Sequence, residues 1–331
     1  MITIIGGSGF IGSRLARLFK EQKVDFQIVD KNISPFFPEK TRLSDVRDFQ
    51  NLKKSLKNSH TVINLAAEHR DDVTPKTLYD EVNVFGAQNV CRACEDLGIN
   101  KIVFTSSVAV YGFAPEGTDE SGEINYFNDY GRTKWEAEGV YREWVNGDPN
   151  NRTLTIIRPT VVFGERNRGN VYNLLKQISS RFFPMIGNGK NVKSMAYVEN
   201  IVAFIHYSLR NEKGEYLFNY IDKPDYSMDS LVRIVKGALG RKAAITFHWP
   251  YFLGYMGGAF FDLIAFIIRK KLPISRLRIK KFCSTTCFSS INISKAGFIP
   301  PITLDVGIQN TIKFEFVDFE STKDNILFYS E

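Results

Sequence analysis

A glycine-rich loop near the amino terminus constrains the fold of this 331-residue chain more than any other feature. The apolar run Ile2-Thr3-Ile4-Ile5 is typical of a buried strand, and a helical pattern from Ile11 to Lys20 follows it. Between them Gly6, Gly9 and Gly12 have G-x-x-G-x-x-G spacing. Glycines let a backbone turn tightly and approach a pyrophosphate, which the amide groups of the next helix attract. The loop therefore predicts a dinucleotide-binding β-α-β unit.

The end of the second predicted strand, Phe26 to Val29, indicates which dinucleotide is bound. Asp30 follows this strand, where a carboxylate can accept hydrogen bonds from the hydroxyls of an adenosine ribose. The same carboxylate would repel a 2′-phosphate, so NAD is preferred over NADP, although the neighbouring Lys31 weakens the preference. The alternative is a structural glycine turn followed by a solvated aspartate.

Strand and helix patterns alternate through the first half of the chain. Three more β-branched runs, Thr61 to Leu65, Lys101 to Thr105 and Leu154 to Ile157, are separated by segments of helix length. This order predicts an α/β fold with a Rossmann-type, doubly wound parallel sheet. The pattern is less regular after about Gly164. We therefore predict an NAD-binding domain at residues 1–165 and a smaller substrate subdomain at residues 166–331, from which one or two segments return to the sheet.

Three polar side chains form a candidate catalytic set. Tyr130 and Lys134 are four residues apart, on one face of a predicted helix. A free phenol, with a pKa of about 10, is a poor base at neutral pH, but a neighbouring cation favours the phenolate. Ser107 follows the fourth strand, and such folds place their sites at the carboxyl ends of strands. The alternative is an ordinary surface pair of tyrosine and lysine.

These motifs resemble those of the extended short-chain dehydrogenase/reductases and, within them, the NAD-dependent sugar 4-epimerases. The resemblance extends to the pair Asp45-Val46, the turn Asn64 to Ala67 and the pair Arg158-Pro159. It implies that Tyr130 is the general acid and base and that Lys134 holds the nicotinamide ribose. It also implies that Ser107 hydrogen-bonds the reacting hydroxyl. The residues that the resemblance assigns to NAD are Gly6, Gly9, Phe10, Ile11, Gly12, Asp30, Asp45, Val46, Leu65, Ala66, Ala67, Tyr130 and Lys134.

The resemblance also implies a reaction. Such enzymes oxidise carbon 4 of a sugar, rotate the 4-keto intermediate and return the hydride, so that NAD is not consumed. Related dehydratases carry an Asp-Glu pair directly after the hydroxyl position, where this chain has Val108 and Ala109, and loss of water is therefore disfavoured. Arg166, Arg168 and Lys193 lie where such enzymes present positive charge to the substrate diphosphate. The alternative is that each is an ordinary surface charge.

An apolar segment, residues 249–268, precedes a basic window, residues 269–281. Its length just meets the roughly 20 residues that a spanning helix needs. Pro250 and Asp262 argue against spanning, since an aspartate near the bilayer centre costs about 2.5 to 3.5 kcal/mol. We predict a segment in the membrane interface, with a buried helix or a dimer contact as alternatives. The window has no acidic residue; its basic residues are Arg269, Lys270, Lys271, Arg276, Arg278, Lys280 and Lys281.

Three loops and the apolar segment resemble one narrower group within this family. Residues 67–73, 164–170 and 193–197, with the apolar segment, closely resemble bacterial epimerases that act on N-acetylglucosamine attached to undecaprenyl diphosphate. The implied partners are a lipid-linked amino sugar and the cytoplasmic face of the inner membrane, with the protein bound peripherally. The implied role is synthesis of O-antigen. Alternatives are a soluble epimerase of uridine-diphosphate sugars, a 4-keto sugar reductase and an NAD-sensing module without chemistry.

Charge and cysteine content exclude some other classes. The formal net charge of +7 is matched by the basic window, which points to an anionic surface or substrate. Nucleic acid is not expected as a partner, because no recognition-helix, RNP or zinc-finger pattern accompanies the window.

The chain opens without a basic n-region, so a secretory signal is not expected. The four cysteines are interpreted as buried, reduced thiols rather than as a metal or redox site. A homodimer is also among the expected states.

Overall fold

The computed structural model describes residues 1–70, 73–180, 183–241, 248–268, 276–318 and 326–329. The strands in chain order are β1 (Ile2–Ile5), β2 (Phe26–Asp30), β3 (Thr41–Leu43), β4 (Thr61–Asn64), β5 (Lys101–Thr105), β6 (Thr153–Pro159), β7 (Val161–Phe163), β8 (Met185–Ile186), β9 (Val192–Tyr197), β10 (Gly214–Tyr220), β11 (Asp222–Ser227) and β12 (His248–Trp249).

The helices in chain order are α1 (Phe10–Glu21), α2 (Phe49–Leu56), α3 (Thr77–Tyr79), α4 (Gly86–Leu97), α5 (Asp129–Asn146), α6 (Asn170–Ile178), α7 (Val198–Ser208), α8 (Met228–Ala238), α9 (Tyr251–Ile268), α10 (Arg276–Cys283), α11 (Ile291–Lys295) and α12 (Leu304–Ile312). Two π-helical segments, Asp80–Phe85 and Lys313–Val317, directly continue α3 and α12.

A seven-stranded parallel sheet organises the fold, in the order β10-β6-β5-β4-β1-β2-β3. From β1 the chain proceeds outward through β2 and β3, and then returns to the other side of β1 at β4. The strand order therefore reverses between β1 and β4, and ligands of doubly wound sheets bind in the crevice at such a point. The Rossmann-type fold is confirmed, and β10 is a late segment that returns to the sheet.

Helices cover both faces of the sheet, which explains why β1, β4 and β6 are buried along their whole length. Ile4 points toward α1 and α7, where it joins a cluster that includes Leu15 and Ile201. The next residue, Ile5, points toward the opposite cluster, which α2, α4 and α5 form. Because Leu15 precedes residue 165 and Ile201 follows it, one hydrophobic core joins residues from both sides of the predicted domain boundary.

A second layer is the three-stranded sheet β11-β9-β7, which begins at the carboxyl end of β6 because β7 follows β6 directly. The segment after α10 extends this layer, since a bridge pairs Thr286 with Lys193 of β9 and another pairs Phe288 with Thr118. The Gly117 amide also donates to the Cys287 carbonyl at 2.8 Å. The chain that leaves α10 is thereby fixed beside the loop that follows β5.

The apolar segment forms α9, which is mostly exposed, so the buried-helix alternative is wrong for this chain. Among the described residues α9 is the helix long and apolar enough to cross a membrane. Asp262 of α9 accepts a hydrogen bond from the Arg276 guanidinium of α10 at 2.8 Å, so its charge is paired. Arg269, Lys270 and Lys271 of the basic window lie outside the described residues.

The cysteines differ from one another in environment. Cys91 and Cys94 are free thiols buried in α4, and burial raises the pKa of each. Cys283 and Cys287 are also free but only partly buried, so the expectation of full burial is wrong for this second pair. They lie where the chain passes from α10 onto the surface of the second layer.

Candidate active site

The glycine loop after β1 is shaped by contacts that leave no room for a side chain. Gly6 has φ of +75°, and a Cβ there would lie 2.6 Å from the Ala66 amide nitrogen. A Cβ on Gly12 would lie 2.5 Å from Cα of Gly7. The loop therefore packs directly against the turn after β4, and both segments line the crevice where the strand order reverses.

The groups around this loop fit a dinucleotide. Helix α1 starts at Phe10. Its N-cap residue, Gly9, has no side chain that could cap the helix, so the first amides of the helix suit a pyrophosphate. Asp30 is the last residue of β2, and its carboxylate accepts hydrogen bonds from the amides of Ser8 at 3.0 Å and Asn32 at 2.9 Å. These bonds hold the carboxylate beside the glycine loop, where a ribose would lie.

The residues assigned to adenine lie at the same edge of the sheet. Val46 is buried, and it packs against Gly86 at the start of α4. Asp45 is held by Arg47, whose Nε and Nη2 donate to it at 3.0 and 2.8 Å. Mainly because of this hydrogen bond, the pKa of Asp45 is lowered.

The turn from Leu65 to Ala67 is fixed by the residue before it. The Asn64 side-chain oxygen accepts from the Ala66 amide at 3.0 Å, and its side-chain nitrogen donates to the Tyr141 hydroxyl at 2.7 Å. The Leu65 amide donates to the Ile5 carbonyl at 2.9 Å. This turn therefore lies next to the glycine loop, as the sequence predicts.

The three side chains of the candidate catalytic set lie together. Tyr130 is in the first turn of α5, which the Asn128 side chain caps by accepting from the Gly131 amide at 2.9 Å. The Tyr130 phenol faces the Ser107 side chain, which lowers the pKa of the phenol in part. One turn further along α5, Lys134 Nζ donates to the Thr105 carbonyl at 2.7 Å. The end of β5 and the start of α5 thus form one site.

Burial, rather than mutual attraction, dominates the pKa values of this site. Burial raises the pKa of Tyr130 to about 12, although the Ser107 side chain lowers it in part. Burial also lowers the pKa of Lys134 to about 7, against the opposing effect of Glu138. The expectation that Lys134 lowers the phenol pKa is therefore wrong for the protein chain alone, because desolvation disfavours the charged form of both groups.

Comparison with known proteins identifies the family. Residues 2–219 match the NAD dependent epimerase/dehydratase family. The chain belongs to this family. This NAD-dependent enzyme is 50% identical over 333 residues to the N-acetyl-alpha-D-glucosaminyl-diphospho-ditrans,octacis-undecaprenol 4-epimerase of Escherichia coli O157:H7, covering 100% of this chain and 99% of that protein. It is 26% identical to the mouse sterol-4-alpha-carboxylate 3-dehydrogenase, decarboxylating, over 94% of this chain and 90% of that protein.

Solved structures agree with the fold of this family member. The Thermus thermophilus UDP-glucose 4-epimerase in complex with NAD has a TM-score of 0.71 at 18% identity, over 94% of this chain and 97% of that chain. The Bacillus cereus UDP-glucuronic acid 4-epimerase in complex with NAD also has a TM-score of 0.71, at 17% identity, over 95% and 97% of the two chains. Family membership confirms NAD as the cofactor, which Asp30 predicts.

The three cations assigned to the substrate diphosphate have different surroundings in this epimerase-family chain. Arg168 forms an ion pair with Glu315, whose carboxylate also accepts from the Arg166 amide at 2.6 Å. The Arg166 guanidinium lies over the rings of Phe36 and Phe314, with centroid distances of 5.8 and 5.5 Å.

Lys193 of β9 contacts the segment after α10. Its Nζ donates to the Ser284 carbonyl at 2.5 Å, and burial lowers the pKa of Lys193 to about 8. Glu315 is the residue of this region that sequence reasoning missed. No pattern in the sequence marks it, since it is brought to Arg168 by the π-helical end of α12.

The carboxyl-terminal residues also reach the site. The Phe328 amide donates to the Arg166 carbonyl at 2.8 Å, and the Arg168 amide donates to the Phe328 carbonyl at 2.7 Å. The Phe328 ring lies 5.8 Å from that of Phe10, which begins α1 after the glycine loop. The sequence interpretation missed Phe328, because nothing near it resembles a known motif.

A buried polar network packs next to the catalytic set and connects α5 with the ends of β5 and β6. Glu138, one turn after Lys134 on α5, accepts hydrogen bonds from the Ser106 hydroxyl at 2.5 Å and from Arg158 at 2.6 and 2.8 Å. Arg158 also donates to the Tyr111 hydroxyl at 2.5 Å. The resemblance includes Arg158, but the role of Glu138 was missed, although its helical spacing from Lys134 marks the same face.

Proposed function

We propose that this enzyme interconverts N-acetylglucosamine and N-acetylgalactosamine while the sugar is attached to undecaprenyl diphosphate. The observation that carries the proposal is 50% identity to the Escherichia coli enzyme of that name, over essentially the whole of both chains. We further propose that the product serves the synthesis of O-antigen or a similar surface polysaccharide.

The chain's own residues supply the proton chemistry. Tyr130 removes the proton from the hydroxyl on carbon 4 and later returns it, and Ser107 holds that hydroxyl by a hydrogen bond. Lys134 lies one turn along the same helix, where its side chain would hold the cofactor ribose. When bound, NAD supplies the hydride acceptor for carbon 4 and the hydride donor for the return step.

A sugar that can rotate between the two hydride transfers must be held mainly through its diphosphate. We propose that Arg166, Arg168 and Lys193 take part in this anchoring. The hydrogen bond from Lys193 Nζ to the Ser284 carbonyl supports this role for Lys193, because it positions the side chain beside the segment that leaves α10. Arg168 is paired with Glu315, so an arriving diphosphate has to share or displace that carboxylate.

The exposed apolar helix supports a substrate located at a membrane. We propose that α9 lies in the interface at the cytoplasmic face of the inner membrane, with Arg276 and Lys280 near the lipid phosphates, and that the protein is peripheral and can form a homodimer. An amino sugar on a polyprenyl diphosphate has its diphosphate at the level of the headgroups. An enzyme attached to that surface can then reach carbon 4 without extracting the lipid.

The test compares two donors at matched enzyme concentration, with a radiolabelled sugar and lipid extraction. We expect conversion of N-acetylglucosamine-diphosphoundecaprenol in detergent or membranes and poor conversion of the uridine-diphosphate sugar. Efficient conversion of the soluble nucleotide, with the lipid-linked sugar unchanged, would establish the soluble epimerase instead.

Cofactor balance separates epimerisation from net reduction. Because the hydride is returned in each cycle, no NADH accumulates and added NADH is not consumed in proportion to product. Consumption of one NADH for each product molecule would instead identify a reductase of 4-keto sugars.

A further inference from the structure

Two exposed phenylalanines form a ring pair immediately before the catalytic helix. Phe113 follows the turn after β5, and Phe127 lies three residues before Tyr130. Their ring centroids are 5.1 Å apart, and their exposed fractions are 49% and 47%. Exposing two large aromatic side chains together is unfavourable in water unless a ligand or partner covers them.

The ring pair is held rigidly to the site by two close backbone approaches. Gly112 has φ of +63°, and a Cβ there would lie 2.0 Å from the Asn125 carbonyl oxygen. A Cβ on Gly131 would lie 2.5 Å from the Ala109 carbonyl oxygen. The turn that carries Phe113, the loop that carries Phe127 and the first turn of α5, which includes Tyr130, are therefore packed backbone against backbone.

The same pair is connected to the apolar helix. Lys280 of α10 places its Nζ 5.3 Å from the centroid of the Phe113 ring, and Arg276 of α10 is paired with Asp262 of α9. The exposed apolar face of α9, the Lys280 ammonium and the ring pair thus follow one another toward the catalytic helix. On its other side Phe127 borders a cleft of about 420 Å³ that also includes Asn128 and Asp129.

We propose that the ring pair of Phe113 and Phe127 binds the first isoprene units of the lipid carrier. This inference rests on the proposed function and adds a subsite to it. A polyisoprenyl diphosphate has an apolar chain joined directly to an anion, and this surface places two aromatic rings beside the ammonium of Lys280. A chain leaving the reacting sugar passes the ring pair before it reaches α9.

The experiment uses donors that differ in the chain and not in the sugar or the diphosphate. The holoenzyme and its variants are assayed in detergent solution, without a bilayer, on N-acetylglucosamine diphosphate carrying either a geranyl or an ethyl group. Wild-type enzyme should have a KM about tenfold or more lower for the geranyl donor, since the two rings cover its isoprene units. The double variant Phe113→Ser/Phe127→Ser should lose most of this difference while kcat for the ethyl donor is unchanged.

Two further variants keep the result interpretable. Phe127→Leu retains an apolar side chain and should keep part of the preference for the geranyl donor, even if the double variant folds poorly. Phe85→Ser removes an equally exposed phenylalanine, at the end of the segment Asp80–Phe85, and should keep all of it.

Different outcomes would overturn the proposed function and the isoprene subsite. A wild-type enzyme that converts only the uridine-diphosphate sugar would overturn the proposed function. If the wild type converts both lipid-type donors without preference, or if the double variant keeps the wild-type preference, the subsite alone is overturned. A double variant that keeps the donor preference but no longer binds phospholipid vesicles in a separate sedimentation assay would show that the ring pair contacts the bilayer and not the substrate, which also overturns the subsite.

Discussion

The Arg158 guanidinium and the Glu138 carboxylate form a two-point ion pair inside the protein, with Nε to Oε1 at 2.8 Å and Nη2 to Oε2 at 2.6 Å. Both side chains are almost fully buried. Since Ser106 donates to the same carboxylate, this pair ties the ends of β5 and β6 to the helix that carries Tyr130 and Lys134.

Removing one partner should therefore harm both stability and activity. Arg158→Met removes the bidentate contact and leaves the buried Glu138 charge with Arg142, at 3.1 Å, and Ser106 as its partners. Breaking a buried ion pair costs about 3 to 5 kcal/mol where the remaining charge has no partner, so this is the upper limit here. We expect denaturant unfolding to show a loss up to this limit. We also expect kcat to fall more than KM rises, because the position of Ser107 relative to Tyr130 changes.

A surface pair on the same helix is the control for this prediction. Glu136 pairs with Arg132 at 2.9 Å, but it is more exposed, and surface pairs contribute about 0 to 1 kcal/mol. Glu136→Gln should therefore remain close to wild type in stability and turnover. Equal losses in Glu136→Gln and Arg158→Met would contradict the role given to the buried pair.

Tyr130→Phe should abolish most of the turnover and leave NAD binding nearly unchanged. Losing a general acid and base lowers rates by about 100- to 10,000-fold, whereas the NAD contacts of the glycine loop and Asp30 are untouched. Turnover and NAD binding by fluorescence are measured on the same preparation. Tyr126→Phe, which removes a phenol one turn before α5, is the matched control. Wild-type turnover in Tyr130→Phe would remove this residue from the mechanism.

The buried Lys134 predicts a specific pH dependence of stability. Its pKa is lowered to about 7, so the folded protein binds this proton more weakly than the unfolded chain does. The free energy of unfolding therefore falls as pH decreases from about 10 to about 7, by at most roughly 1.4 kcal/mol per pH unit, and this contribution is constant below that range.

The comparison variant is Lys134→Met, studied by denaturant unfolding after NAD is removed. Its stability relative to wild type should increase as pH falls from 10 to 7. Lys176→Met changes an exposed lysine of α6 and should keep the wild-type pH profile. A constant difference between Lys134→Met and wild type over this range would show that Lys134 titrates normally.

Most of the fold was predictable because local pattern and global topology agree. The apolar runs at Ile2 and Lys101 form strands with the expected starts, and the glycine loop can serve little else but the turn between β1 and α1. The helical spacing of Tyr130 and Lys134 likewise placed them on one face. These features depend on residues that are close together in the sequence.

The remainder depends on contacts between distant residues, for which a single sequence has no signal. Glu315 contacts Arg168 across 147 positions of sequence, and Lys280 of α10 contacts Phe113, which lies far before it in the chain. The expected direction of the Tyr130 pKa shift was wrong for a related reason. Spacing shows that Lys134 is near Tyr130, but only the packed structure shows that both are desolvated, which reverses the expected direction of the phenol pKa.

The exposed face of α9 predicts how the protein associates with membranes. Phe266 and Ile267 are 82% and 69% exposed near the end of α9. If they insert into the interface, Phe266→Ser/Ile267→Ser should lower the membrane-bound fraction strongly, because burying each side chain contributes about 1.5 to 3 kcal/mol. High salt should release the wild type only in part, since basic residues add only about 1 kcal/mol each.

Sedimentation of membranes at low salt, high salt and in detergent measures this prediction. The matched control is Ile299→Ser, which removes an isoleucine that is 84% exposed but lies between α11 and α12, away from α9. It should sediment as wild type does, because exposure alone does not bring a side chain to the bilayer. Wild-type protein found in the soluble fraction at low salt without detergent would show that α9 does not lie in a membrane. Release of the Ile299→Ser variant to the same extent as the α9 double variant would show that α9 has no special part in attachment.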